Sequence, residues 1–207
     1  MAQKPLRTTR LHLQPLSEEH LKHFKELNSH PEVLRFIYGR ALTEQEAAQD
    51  HAERLTAGTL VPGLGLWSGF TADSGEFVGW WALSPVIRDD GGALDPTAGN
   101  LGYRLLPRFW RQGLAKEGAL EVLRHGFVDL GLQRVRADTM AVNEASRATM
   151  ASCGLRYLRT FFVEFEEPLP GTQLGEVEYG LTLNEWLALP GDKKAYKVGV
   201  GRAWTTY

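Results

Sequence analysis

Apolar residues along the chain follow two different spacings, which predict an alternation of strands and helices. A spacing of two, typical of half-buried strands, occurs in seven segments: 11–16, 64–72, 77–83, 100–106, 135–139, 161–166 and 177–183. A spacing of three or four, typical of helices that bury one face, occurs at 21–27, 47–55, 115–130 and 144–152. The predicted order is therefore β-α-α-β-β-β-α-β-α-β-β.

Turn and capping residues indicate how these elements connect. Thr43 and Glu46 form a capping box at the start of the second helix, and Asp73-Ser74-Gly75 joins two strands as a hairpin. The strand–helix–strand unit at 100–140 requires parallel neighbouring strands. We therefore expect an α/β (α+β) fold with a mixed, mostly antiparallel sheet of about seven strands and about four flanking helices. Residues 1–190 are expected to form a single domain, with a polar, glycine-rich loop at 86–99 and an irregular C-terminal extension at 191–207.

Composition excludes several classes of protein. The 207 residues suit one domain, and no window approaches the roughly 18 apolar residues of a membrane span. The first ten residues lack the apolar segment of a secretory signal, and Cys153 is the only cysteine, which favours a cytoplasmic location. A net charge of −2 argues against a nucleic-acid binder. Neither CxxC nor HExxH occurs, so no metal site is expected.

The most informative motif is Trp110-Arg111-Gln112-Gly113-Leu114-Ala115, which lies between a predicted strand and a long predicted helix. The first backbone N–H groups of a helix have no partner within the helix and point at one spot, where the helix dipole favours an anion. Gly113 allows close backbone approach, and Arg108 and Arg111 add positive charge nearby. Considered alone, one glycine in such a turn more often only caps a helix. The dinucleotide motif G-x-G-x-x-G is incomplete, because its first glycine is missing.

Several motifs taken together resemble the GNAT superfamily of acetyl-CoA-dependent N-acetyltransferases, most closely the RimJ/RimL branch. That branch acetylates ribosomal-protein N-termini and small amines. The resemblance covers roughly residues 7–187. The motifs are Thr9-Arg10-Leu11-His12-Leu13, Leu101-Gly102-Tyr103-Arg104-Leu105-Leu106-Pro107, the 110–115 segment, Asn143-Glu144-Ala145-Ser146-Arg147, Cys153-Gly154-Leu155, and Glu178-Tyr179-Gly180-Leu181 before Glu185-Trp186.

The resemblance implies a binding site for acetyl-CoA. The backbone amides that would hold its pyrophosphate belong to Gln112, Gly113, Leu114 and Ala115. Leu105 and Leu106 would present strand backbone to the pantetheine arm, and an N–H near Leu106, freed by a splayed neighbouring strand, would receive the developing negative charge. Trp110 stands where the family usually has Gln or Arg. Arg108 or Arg111 would therefore carry the charge that faces the phosphates.

The resemblance also implies catalytic roles for Asn143, which would contact the pantetheine end, and for Ser146, which would lie near the sulfur and donate to it. Asn143 is equally typical of a helix N-cap. The general base stays open: the candidates are Tyr103, Glu164, Glu166, Glu178 and Tyr179, and for each of them a solvated or packed side chain is the more common interpretation. His51 on the second helix is most readily interpreted as a surface histidine, and Cys153 as a core residue.

The expected reaction is direct transfer of an acetyl group, in a ternary complex, to a protein or peptide N-terminus or a small primary amine. An α-amino group has a reference pKa near 8 and is partly neutral at physiological pH, so a weak base acting through water suffices. Two alternatives stay open: a non-catalytic acyl-CoA-binding or regulatory module, and transfer of a larger acyl group such as succinyl. The expected partners are acetyl-CoA and the amine, with neither nucleic acid nor membrane; a homodimer is a further possibility.

Overall fold

One eight-stranded sheet organises the protein. The computed structural model describes residues 3–58, 60–88, 91–165, 167–191 and 194. The strands are β1 (Leu6–Arg7), β2 (Leu11–Pro15), β3 (Gly65–Thr71), β4 (Phe77–Ile87), β5 (Leu94–Leu105), β6 (Arg134–Met140), β7 (Arg156–Phe161) and β8 (Glu176–Thr182). Their order in the sheet is β1-β2-β3-β4-β5-β6-β8-β7. The β5/β6 pair is parallel, and the other pairings among the described strands are antiparallel. The predicted mixed, mostly antiparallel sheet is confirmed.

Helices cover both faces of the sheet. They are α1 (Leu21–Asn28), α2 (Glu44–Ala57), α3 (Leu114–Arg124), α4 (Glu144–Ser152) and α5 (Leu183–Ala188). A π-helical turn, His125–Asp129, continues α3. The predicted capping box is present at α2, where the Glu46 N–H donates to Thr43 Oγ1 at 3.2 Å and the Thr43 N–H donates to Glu46 Oε2 at 2.8 Å. Two unpaired donors of the helix end are thereby satisfied.

Two adjacent tryptophans in β4 show how the faces differ. Trp81 is fully buried on the α3 face, and its ring lies so close to Gly118 that a Cβ there would stand 2.4 Å from it. Trp80 points to the opposite face and packs with Phe24 and Leu27 of α1. Because successive strand residues alternate in direction, β4 supplies core to both layers. The two indoles therefore lie on opposite sides of the sheet.

The sheet is incomplete at its centre. Strands β5 and β6 pair over three registers only, the last of which is Asn100 with Arg136. Beyond it β5 continues to Leu105 and β6 to Met140, with no further pairing between them. We call this parted region the gap. It opens at the end of β5 that leads into α3, so it lies beside the Gly113 turn.

The observed elements differ from the predicted ones in three places. The loop predicted at 86–99 is shorter than expected, because β4 extends to Ile87 and β5 begins at Leu94. The strand predicted at 161–166 lies earlier, at Arg156–Phe161, and Phe162 is 72% exposed beyond it. Short β1 and α5 bring the totals above the expected seven and four. Most of the predicted extension at 191–207 lies outside the described residues.

Candidate active site

The N-terminus of α3 is open toward solvent. Gly113 occupies the N-cap position with φ 78°, and within 4 Å a Cβ placed on it meets only Arg10 Nη2, at 3.6 Å. No side chain of the described residues caps this helix end. Arg111 also has a left-handed backbone, with φ 59°, which is uncommon for a residue with a side chain. The turn therefore aims the free N–H groups of Leu114 and Ala115 at a space that an anion can enter.

A buried carboxylate holds this turn in place from below. Glu117, in the first turn of α3, has a fully buried side chain and accepts hydrogen bonds from Thr8 Oγ1 at 2.6 Å and from the Arg10 N–H at 2.8 Å. Arg10 Nε forms an ion pair with it at 2.7 Å. The same guanidinium donates from Nη1 to the Gln112 carbonyl oxygen at 3.0 Å. Thr8, Arg10 and Glu117, which we call the support triad, thus fix residues 110–115 to the start of β2. We call residues 110–115 the phosphate turn, after the ligand that the sequence predicts there.

The two arginines expected near the phosphates have different roles. Arg108 forms ion pairs with Glu26 at 2.9 Å and Glu76 at 2.7 Å, and these contacts hold its guanidinium away from the turn. The expectation that Arg108 could carry the phosphate charge is therefore wrong. Arg111 is exposed, lines the cavity described below and has no ion pair among the described residues. It is the arginine of the two that is free to face an anion.

A cavity of about 810 Å³ runs from the phosphate turn through the gap to the α1–α2 side of the sheet. Leu105, Arg111, Gly113, Leu114 and Ala115 line it. Such a volume suits an elongated ligand, since pockets for drug-sized molecules span about 300–1,000 Å³. The gap therefore joins the two faces of the sheet through one continuous space.

Leu106 does not fit the role expected for it. Its N–H donates to the Val78 carbonyl oxygen at 2.9 Å, its own carbonyl oxygen accepts from the Phe109 N–H at 3.0 Å, and its side chain is fully buried. Because strand backbone alternates in direction, the N–H groups of Leu105 and Tyr103 face the gap instead. Of these two leucines, Leu105 is therefore the one whose N–H faces the gap.

Gln112 and Trp110 also bond within the protein. The Gln112 side-chain Nε2 donates to the Arg108 carbonyl oxygen at 2.8 Å, so only its backbone N–H is available to a ligand. The Trp110 indole donates from Nε1 to the Leu105 carbonyl oxygen at 2.7 Å. This bond occupies the carbonyl at the open edge of β5. The tryptophan thus aligns the end of the strand instead of contacting phosphate.

Asn143 and Ser146 meet at the start of α4, beside the gap. Asn143 Oδ1 accepts from the Ser146 N–H at 3.2 Å, and its Nδ2 donates to Thr139 Oγ1 at 3.0 Å, so it is an N-cap and also lines the cavity. The Tyr103 hydroxyl lies 3.3 Å from Ser146 Oγ and donates to the Ser146 carbonyl oxygen at 3.1 Å. Burial raises the pKa of Tyr103, which keeps its hydroxyl protonated.

Two acidic residues reach the cavity from the far side of the gap. Asp138 of β6 and Glu176 of β8 both line it. Burial, followed by repulsion from Asp138, raises the pKa of Glu176 above its usual value. A carboxylate with a raised pKa is a better base near neutral pH than an ordinary one. Sequence reasoning missed Glu176, and the only available signal was its alternation with Glu178 along the last strand.

The other candidates for the base are engaged elsewhere or exposed. Glu178 forms an ion pair with Arg159 at 2.6 Å. The Tyr179 hydroxyl accepts from Arg147 Nε at 3.4 Å, and its ring belongs to the core. Glu164 is exposed beyond the end of β7, and Glu166 lies outside the described residues.

His51 and Cys153 both lie in the interior of the protein. His51 is 3% exposed, and its Nε2 lies 3.0 Å from the Ser17 carbonyl oxygen, so the interpretation as a surface histidine is wrong. Cys153 is fully buried in the core, as expected. Neither residue lines the cavity.

Comparison with known proteins agrees with this geometry. A family model described as acetyltransferase (GNAT) domain matches residues 10–156, which include the support triad partner Arg10, the phosphate turn and both sides of the gap. The chain belongs to the GNAT family. It is accordingly an acyltransferase of the acetyltransferase type, and the non-catalytic alternative loses its support.

Individual GNAT proteins are similar over most of the chain. The chain is 45% identical to FsC-acetyl coenzyme A-N(2)-transacetylase of Aspergillus fumigatus over 190 residues, which are 91% of this chain and 80% of that protein. A GCN5-related N-acetyltransferase of Brucella melitensis has a similar fold, with a TM-score of 0.74 at 18% identity over 95% of this chain and 85% of that one. RimL, an acetyltransferase for ribosomal L7/L12 solved with coenzyme A, gives a TM-score of 0.70 at 16% identity over 88% and 99%.

The helices of the GNAT domain show no membrane-spanning character. Among the described residues, none of them combines the length and the apolar content that crossing a membrane requires.

Proposed function

We propose that this GNAT enzyme transfers an acetyl group from acetyl-CoA to the primary amine of a small molecule or a peptide N-terminus, by direct transfer in a ternary complex. The observation that carries the proposal is the gap between β5 and β6, because it joins an open anion site at α3 to a second chamber with its own polar groups. The Aspergillus relative is named for acetyl coenzyme A and an N(2) nitrogen. We extend both to this chain and expect an acceptor nitrogen of the α-amino kind.

The residues present fit acetyl-CoA. The N–H groups of Gln112, Gly113, Leu114 and Ala115 surround a turn that has no side-chain cap, with Arg111 beside it. The open edge of β5 at Leu105 can pair with an amide-bearing arm as a neighbouring strand would. Asn143 keeps one amide hydrogen and one lone pair beyond the bonds described above. Acetyl-CoA supplies a thioester, whose carbonyl carbon is open to attack by a neutral amine.

The protein residues then have distinct tasks. A nitrogen–carbon bond forms as the carbon–sulfur bond breaks, so the amine must lose a proton and the sulfur must gain one. Glu176, whose pKa is raised, accepts the amine proton directly or through one water. The N–H of Tyr103, which also faces the gap and lies farther from the anion site than Leu105, donates to the thioester oxygen as its negative charge develops. Ser146 Oγ, 3.3 Å from the Tyr103 hydroxyl, stabilises the leaving thiolate with a hydrogen bond, and the sulfur takes its proton from water.

Thermal unfolding with and without acetyl-CoA tests donor binding, with ATP and NAD as controls. Ligand that binds only the folded protein stabilises it by about 2.7 kcal/mol at a hundredfold excess over Kd. Gly113→Glu should abolish the shift because it places a carboxylate in the anion site. Gly131→Glu is the matched control, since Gly131 has a similar φ of 71° and open space around it, away from the cavity.

A screen of primary amines that follows release of the free CoA thiol then tests turnover. We expect release with acetyl-CoA to exceed release with succinyl-CoA. If acetyl-CoA produced no shift at millimolar concentration, or if Gly131→Glu abolished the shift as completely as Gly113→Glu, the proposed donor site would be wrong.

Three finer expectations belong to the same proposal. They are membership in the RimJ/RimL branch, a cytoplasmic location and assembly as a homodimer. The fold similarity to RimL supports the first. The second and third stay predictions, which fractionation of the source cells and light scattering of the purified protein would check.

A further inference from the structure

Arg104 is a buried cation in the part of the cavity on the α1–α2 side of the gap, which we call the acceptor chamber. It is 7% exposed and lines the cavity from β5, opposite Trp80 of β4. Its Nη1 donates to Asn28 Oδ1 at 2.7 Å, and its guanidinium lies 5.1 Å from the centroid of the Trp80 ring. Its Nε is buried with no hydrogen-bond partner. Arg104 thus has one neutral partner and no ion pair among the described residues.

The charges around Arg104 do not balance. Asp50, a buried carboxylate of α2 on this side of the sheet, forms an ion pair with Arg54 at 2.9 Å and accepts from Asn28 Nδ2 at 3.3 Å. The Arg54 guanidinium also lies against Trp80, 4.8 Å from its ring centroid. Asp50 therefore balances the charge of Arg54, and Arg104 has no carboxylate partner among the described residues. An unpaired buried charge is strongly unfavourable, so folded proteins seldom keep one without a partner.

The other carboxylates of the cavity lie apart from Arg104. Glu32 is about half exposed near His30. If the β5/β6 register is continued along the gap, Arg104 falls level with Met140, and Glu176 pairs with Met140 on the far strand. The gap and one strand spacing of about 4.8 Å, that between β6 and β8, therefore separate the backbones of Arg104 and Glu176. The acceptor chamber has a cation at one end and a base at the other.

We propose that Arg104 binds an oxygen atom of the acceptor that belongs to a carboxylate or a carbonyl group. This group is attached to the carbon that carries the acceptor amine. This inference rests on the proposed function and narrows it to amino acids and their ester or peptide derivatives. The amine of such a molecule lies toward Glu176 while its oxygen receives the free N–H groups of Arg104. Polyamines and other polycations are excluded, because Arg104 repels a second positive charge in the same chamber.

Three acceptors with the same skeleton test the subsite: L-leucine, L-leucine methyl ester and 3-methylbutylamine, which lacks the carboxyl group. Each is titrated by calorimetry into the CoA-loaded protein, and acetyl transfer is measured in parallel. We expect the first two to bind about 10- to 100-fold more tightly than the bare amine, as a charge-assisted hydrogen bond provides. A larger gain for the free acid identifies a carboxylate site, and equal gains identify a carbonyl site.

Two substitutions assign that preference to Arg104. Arg104→Met should remove the preference for the oxygen-bearing acceptors and leave acetyl-CoA affinity unchanged, while Arg104→Lys should keep part of it. Arg104→Met should also leave Tm of the free protein unchanged or higher, because it removes an uncompensated charge. The matched control is Arg54→Met, which should lower Tm because it deprives Asp50 of its ion-pair partner.

Either of two results would overturn the proposal. One is equal binding of all three acceptors to the wild-type protein. The other is a preference that persists in Arg104→Met. Since binding to the CoA complex needs no turnover, a protein that binds the acid or ester through Arg104 but acetylates nothing would contradict the proposed function and still support the subsite. A protein that binds and acetylates all three amines equally would support the proposed function and contradict the subsite.

Discussion

Removal of the guanidinium from the support triad should weaken both the fold and the phosphate turn. In Arg10→Met, Glu117 keeps its hydrogen bonds from Thr8 Oγ1 and from the residue 10 N–H but loses its cation. The Gln112 carbonyl oxygen loses its donor at the same time. We therefore expect one substitution to produce two losses, one in stability and one in acetyl-CoA affinity.

The structure sets the size of the stability loss. Two unit charges 4 Å apart attract by about 4 kcal/mol at an effective dielectric constant of 20, and removing one member of a buried pair typically costs about 3–5 kcal/mol. The Arg10 side chain is 46% exposed, so solvent screens part of this interaction, while the Glu117 side chain is fully buried. With two hydrogen bonds retained, we expect a loss of about 2–3 kcal/mol, or roughly 5–10 °C in Tm for a domain of this size.

A double-mutant cycle with Glu117→Gln isolates the pair. Urea unfolding gives the free energies of unfolding, and calorimetry gives the acetyl-CoA affinity. We expect Arg10→Met to bind acetyl-CoA about five- to tenfold more weakly, because one hydrogen bond to the phosphate turn is lost. The double variant should lose at least about 1.5 kcal/mol less than the sum of the single variants. Arg7→Met, at an exposed arginine on the neighbouring strand, is the control and should change stability by less than about 0.5 kcal/mol.

Additive losses in the cycle would contradict the coupling between Arg10 and Glu117, because they would mean that the two residues stabilise the protein independently. Equal acetyl-CoA affinity in wild type and Arg10→Met would separately refute the link between the support triad and the phosphate turn.

Three further expectations concern other parts of the molecule. Trp110→Phe removes the donor to the Leu105 carbonyl oxygen and should lower kcat/KM by about two- to tenfold with little change in Tm, in stopped-flow assays. Glu176→Gln should lower kcat about 10²- to 10⁴-fold and abolish the rise of activity with pH through the raised pKa of this base; Glu164→Gln should do neither. The hydrogen-bonded ion pair with Arg124 lowers the pKa of Asp129 to about 2. The contribution of Asp129 to stability is therefore present above its unfolded-state pKa of about 3.9 and is lost as pH falls toward 2. Asp129→Asn should flatten that part of the profile of urea midpoint against pH.

Local signals in the sequence predicted the elements that depend on neighbouring residues. The α2 capping box, the hairpin of β3 and β4 and the start of α3 after Gly113 are all set by contacts within a few positions. The position of β7 was missed because that strand lies at the edge of the sheet. Its residues are mostly exposed and lack the alternation of a half-buried strand, whereas the alternating residues Phe161, Val163 and Phe165 start at the last residue of the strand and continue past it.

The candidate site was predicted in part for the same reason. The phosphate turn is continuous in sequence and could be recognised, but the gap arises from where two strands stop pairing, which no local pattern encodes. Leu105 and Leu106 are equivalent in hydropathy, and only the register with Val78 shows which N–H is free. Arg104 and Glu176 meet the same cavity from strands separated by seventy residues of chain, so their relation appears only in three dimensions.

The three register pairs that join β5 to β6 also bear on how firmly the two halves of the sheet are connected. One half contains β1 to β5 and the other β6 to β8, so the seam between them coincides with a division of the chain before and after α3. A ligand that hydrogen-bonds to the open edges acts as a missing strand and couples the unfolding of the two halves. Amide hydrogen exchange at Tyr103 and Leu105 therefore reports occupancy without a label, and the protein becomes a more cooperative folding unit whenever its seam is filled.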